Sequence, residues 1–297
     1  MAISPLKKVA ITVNSVIFFV TMLMALVGYD TALYPTSVAK ATQKYPTDLD
    51  APDSAIWYTI YFFQCCWILY TLTLVFRQDA EDIIPLRCFV LYSFARVCSV
   101  VWRLIWSRDL STVAPFVIIL VTASTLNFCL LFVLKSANAE CYNNSEGNYN
   151  KKDVWCTRVF VPNAIVFYSM WQDMSTCFSL NRMLIYDCGV SKSTAATVSL
   201  TVLLSLIVGW VVLENYFIEH FSRFLFLEYA LMIVALGQVL YAQWKDGSGN
   251  QAYILAMLVL CCIFLLLRLA VIYVKEKNRL TTDSDASRSC LVFKRDH

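Results

Sequence analysis

Apolar runs of about 20 residues recur along this chain from one end to the other, and no other property restricts its fold so tightly. Wound as a helix, a run of that length matches a hydrocarbon core of roughly 30 Å. Within lipid every backbone amide must be satisfied inside the protein, which leaves helices and closed barrels. The runs are continuous rather than alternating, so they predict helices. Composition agrees: 59% of the 297 residues are hydrophobic and only 15% charged, where a soluble domain carries about a quarter charged. The expected fold class is all-α, a polytopic transmembrane helical bundle of about eight spans.

The spans fall at residues 9–29, 54–76, 83–106, 111–134, 159–185, 194–213, 221–243 and 251–274. They make 1–274 a single transmembrane helical domain, followed by a polar C-terminal tail at 275–297. The first run is longer than the roughly 7–15 apolar residues of a signal peptide and reads as a retained helix. Pro35, Pro46 and Pro52 break the loop after it. Residues 135–158 are expected to form an internal loop, and no loop is large enough for a soluble domain.

Eight spans put both ends on one side of the membrane. Lys7, Lys8, Arg77, Lys135, Lys151, Lys152, Lys275, Lys277 and Arg279 all fall on that side, which makes both termini cytoplasmic. Two features oppose this. The sequon at Asn143 is glycosylated only in a luminal loop, and a disulfide between Cys141 and Cys156 forms only there. The charge bias carries more weight, because a sequon is a very short pattern. Cys290, beside Leu291 and Val292 in the tail, is a candidate palmitoylation site.

Several classes are excluded. A net charge of +3, with basic residues at helix ends, does not suit nucleic acid. Of the 12 cysteines, eight lie inside apolar runs, where cysteine acts as a small hydrophobe. With only 2 histidines and no Cys-x-x-Cys pair, no metal site and no cofactor are expected. No nucleotide loop, nucleophile elbow or metalloprotease helix occurs, so the chain is not expected to be an enzyme and has no catalytic residues to name.

The polar content of the fifth span stands out. Residues 159–185 carry Asn163, Gln172, Asp173, Asn181 and Arg182. Ser169, Gln172, Asp173, Thr176 and Ser179 share an arc of roughly 120°. An acid at mid-membrane is costly unless it faces protein or water, and so marks a site by default. Arg96, central in the third span, lies at similar depth and is the expected partner of Asp173. Such a pair serves either a polar pocket or plain helix packing. Trp57, Tyr61, Gln64 and Trp67 recur at helical spacing on the second span, an aromatic face that suits packing or a flat apolar ligand with a polar edge. Arg103 and Arg268 are expected to snorkel to the membrane edges, and Glu228 to be interfacial or hydrogen-bonded.

The stretch Tyr45-Pro-Thr-Asp-Leu-Asp-Ala-Pro52-Asp-Ser-Ala-Ile-Trp57-Tyr-Thr-Ile-Tyr61 resembles the start of the second helix in tryptophan-rich sensory proteins, the long relatives of the translocator (peripheral benzodiazepine receptor-like) family. Val101, Trp102 and Trp106, then Pro162 to Trp171 with Asn181, then Glu228, Tyr229 and Gly237, follow the same order. Tyr58 replaces the usual glycine after the Ile-Trp pair, and Ala55 the usual phenylalanine. The resemblance implies a non-enzymatic membrane protein that binds tetrapyrroles or sterols. Combined with the polar spans, it gives an expectation of a protein that binds or transports a small apolar molecule. The pocket would use Trp57, Tyr61, Gln64, Arg96, Trp171, Gln172 and Asp173. Its partners would be membrane lipid, a tetrapyrrole or sterol, and further copies of itself in a homo-oligomer. The alternative is a seven-helix receptor-like signalling protein, if the first span is removed.

Overall fold

A computed structural model describes residues 3–27, 47, 49, 55–77, 83–106, 111–143, 151–217, 225, 227–246 and 250–293. Eight α-helices account for nearly all of them: α1 (Pro5–Val27), α2 (Ala55–Phe76), α3 (Leu86–Trp106), α4 (Val113–Asn143), α5 (Lys151–Tyr186), α6 (Lys192–Val212), α7 (Leu227–Asp246) and α8 (Gln251–Phe293). A π-helical turn, Leu213–Phe217, extends α6. Each helix falls on a run that the sequence marks as a span.

Six helices, α1 to α4, α6 and α8, are long and apolar enough to cross a membrane. The other two, α5 and α7, are long enough but more polar. For α5 the reason lies in its position. It packs against α2, α4, α6 and α7, so other helices rather than lipid cover most of it. From Val161 to Trp171 every residue is buried.

The helices form two rings that share α5. One runs α1–α2–α5–α4–α3 and back to α1; the other runs α5–α6–α8–α7 and back to α5. Successive helices alternate in direction. The end of α2 meets the start of α5 through Arg77 and Asp153 (2.6 and 2.8 Å). The start of α4 meets the residue after α5 through Thr112 and Asp187 (3.1 Å from the backbone amide). The starts of α6 and α8 meet through Thr197 and Asn250 (3.3 Å). Outward faces carry exposed Val13, Phe62, Leu69, Phe128, Val202 and Leu266, an apolar belt suited to lipid.

Two stretches differ from their sequence reading. The expected loop at 135–158 is mostly helical, because α4 runs on to Asn143 and α5 begins at Lys151. The expected tail is helical as far as Phe293. Hydropathy marks where a chain leaves the apolar layer, and a helix does not have to stop there. The turn after α5 uses Gly189 with φ +67°, a left-handed conformation that glycine adopts without cost.

Candidate functional site

Aromatic rings and one guanidinium fill the first ring of helices. Arg96 of α3 is 3% exposed. Its Nε and Nη2 donate to the Thr21 hydroxyl on α1 (3.1 and 2.8 Å), and Nη1 donates to Gln64 Oε1 on α2 (3.3 Å). The guanidinium carbon lies 5.3 Å from the Phe18 and Tyr168 ring centres and 5.8 Å from that of Tyr61, within cation–π range. Around it Trp57 stacks on Tyr61 at 5.6 Å and meets Trp171 edge-on at 5.3 Å. Tyr168 reaches across the ring to Ser99 (2.5 Å) and sits 6.1 Å from Tyr92.

Five of the seven predicted pocket residues, Trp57, Tyr61, Gln64, Arg96 and Trp171, are therefore neighbours. They pack on one another. Gln172, also buried, follows Trp171 on α5.

The expected Arg96–Asp173 pair does not form. Asp173 lies about 160° around α5 from Trp171, on the side facing α4 and α6. There it accepts two hydrogen bonds from the Asn127 side chain of α4 (3.1 and 3.2 Å). Arg96 is met instead by hydroxyl, amide and ring faces. Neither residue needs the other.

Asp173 and Asn127 open onto a cavity of about 270 Å³ between α4, α5, α6 and α7. Leu131, Met170, Leu203, Leu206, Ile207 and Met232 supply apolar walls, and Trp210 with Leu213 form one end. Asp173 was legible in the sequence as a mid-span acid. Asn127, missed there, was the one amide in a run of mean hydropathy 2.5.

Just beyond Trp210 lies a second polar cluster that sequence reading dispersed. Arg268 was expected to snorkel. It is 3% exposed, with Nε 3.0 Å from Oε1 of the fully buried Glu214. The Tyr229 phenol donates to Glu214 Oε2 at 2.5 Å. Glu228 is buried as well, at 1% exposure, rather than interfacial. Burial follows from the way α7 and α8 close the second ring over the end of α6.

Arg103 does reach a partner near its helix end: Nη2 lies 3.4 Å from the Tyr61 hydroxyl, and its guanidinium 5.6 Å from the Trp57 ring. Cys156 is a free thiol, pushed upward in pKa by partial burial and by the neighbouring Asp153 charge. The side chains of Cys141, Asn143 and Cys290 lie outside the described residues. No family model, no curated protein and no solved structure matches the chain.

Proposed function

We propose that this chain is a multi-pass membrane protein that binds a small, largely apolar molecule in the cavity between α4, α5, α6 and α7, its polar end against Asp173 and Asn127. The observation that carries this reading is an apolar cavity of about 270 Å³ with a hydrogen-bonded acid and amide in its wall. Apolar lining with a few convergent polar groups is the usual make-up of a small-molecule site. An acid retained at mid-span is costly to keep and marks function by default. Asp173 favours an occupant that donates a hydrogen bond, such as a hydroxyl, pyrrole N–H or protonated amine. A sterol or tetrapyrrole is what the resemblance to tryptophan-rich sensory proteins implies. In this reading both termini are cytoplasmic, and the Arg96 chamber holds the helices around α5 rather than the ligand.

Trp210, in the cavity wall, provides a probe. Quenching of tryptophan fluorescence is measured on the full chain in lipid nanodiscs with a sterol, protoporphyrin, haem and a lipophilic amine. One class is expected to quench saturably. Asp173→Asn should weaken it by roughly ten- to a hundredfold, the loss of one hydrogen bond to a charged group. Wild type that binds none of the four, or an unchanged affinity in the variant, overturns the reading.

A further inference from the structure

Among the described residues, no helix covers one side of the cavity beside Asp173. Two of its walls come from α4 and α6, which both pack on α5 and share no extensive contact with each other. A cleft between them leads from the cavity to the outer surface. Ser205, Leu206 and Gly209 line the cavity and are also exposed, Leu206 at 44%. On the opposite rim Phe128, next to Asn127 on α4, is exposed as well. Gly209 leaves room at the mouth, since a Cβ at that position would meet no atom within 4 Å.

This mouth lies inside the apolar layer. At 1.5 Å per residue, Asn127 sits roughly 21 Å from Val113 and roughly 14 Å from Ser136, the ends of its apolar span. Leu206 lies at a matching depth, roughly 21 Å from Lys192 and 15 Å from Tyr216. Lipid, rather than water, therefore borders the opening. A volume of about 270 Å³ is also smaller than the roughly 300–1,000 Å³ that encloses a whole drug-sized ligand. An occupant held by Asp173 leaves part of itself in the cleft, against the bilayer. At this depth a phosphate headgroup would lose its water and face an acid, whereas a neutral hydroxyl loses little and gains an acceptor.

Resting on the reading of this cavity as a binding site, we propose that its occupant enters sideways from the bilayer through the α4–α6 cleft. It is a neutral lipid with a small hydroxyl head, of the sterol or diacylglycerol class. The hydroxyl donates to Asp173, whose carboxyl Asn127 holds in place. The apolar body lies against Met170, Ile207 and Met232, and its far end remains in the cleft beside Leu206.

The test uses the full chain in nanodiscs that carry one of three photoreactive lipids: a diazirine sterol, a diazirine diacylglycerol, or a phosphatidylcholine with a diazirine acyl chain. Adducts are mapped by peptide mass spectrometry. The sterol or the diacylglycerol is expected to label Met170 or Ile207, both buried, as well as exposed Leu206. Gly209→Phe, which fills the mouth, should cut the buried adducts by about tenfold. Gly209→Ala, a single methyl in open space, should leave them within about twofold. Buried adducts that survive Gly209→Phe undiminished overturn sideways entry, yet keep the cavity as a binding site. No buried adduct with either neutral lipid overturns the proposal, while saturable quenching by haem, protoporphyrin or the amine would still uphold the cavity. Equal labelling by phosphatidylcholine overturns the choice of a small head. The wild-type map needs no variant and decides the matter even where Gly209→Phe fails to fold.

Discussion

Arg96 shows how a buried guanidinium is kept in an apolar bundle without an acid. Three of its N–H groups go to one hydroxyl and one amide oxygen, and ring faces surround the remainder. Its planar fork suits this arrangement in a way that a lysine ammonium does not. Arg96→Lys should therefore lower stability by about 1–3 kcal/mol through the lost bonds to Thr21 and Gln64. Because Arg96 and Asp173 share no partner, their effects should add. The double variant Arg96→Lys with Asp173→Asn should match the sum of the singles within about 0.5 kcal/mol by thermal melts in detergent. A coupling well above that would restore the direct pair that the sequence suggests.

Between helices, the fork of Arg77 on Asp153 ties α2 to α5. Tyr70 supports it, bonding the Thr157 hydroxyl at 2.9 Å. The Arg77 side chain is 38% exposed, so solvent screens the pair and its contribution is about 1 kcal/mol. Reversing either charge should destabilise the protein by about that amount. Exchanging both, Arg77→Asp with Asp153→Arg, should recover most of it in a double-mutant cycle of melting midpoints.

Elements of this kind were largely legible beforehand. Each of the eight helices covers an apolar run read from the sequence, and six of them are long and apolar enough to cross a membrane. Helical spacing brought Trp57, Tyr61 and Gln64 to one face. What stayed hidden was which face of one helix meets which of another. Trp171 and Asp173 are only two residues apart in sequence, yet Asp173 turns to α4 while Trp171 turns to α2. Arg268 looked like a membrane-edge residue because Glu214, its partner, is remote in sequence, and local periodicity carries no sign of such a pairing.

Taken whole, the molecule is two helix rings joined along α5, with the Arg96 chamber in one and the cavity in the other. The turn from Asp187 to Ser191 is short, and Cys188 within it is exposed. A chain divided there would give residues 1–188 and 189–297. Co-expressed, the two fragments should copurify and reproduce the wild-type probe binding within about threefold, the cost of a lost linkage between well-packed partners. The second fragment alone should aggregate, since α6, α7 and α8 then lack the helix that closes their ring.

The shared helix also sets a timetable for biosynthesis. Emerging from the ribosome in chain order, α1 to α4 cannot close a ring until α5 arrives. Its polar face then finds Asn127 already in place, while Met170 and its neighbours wait for α6. During that interval the unclosed side of α5 is the surface most in need of a chaperone or an insertase. Nascent chains halted just after Tyr186 are the intermediates in which to look for one.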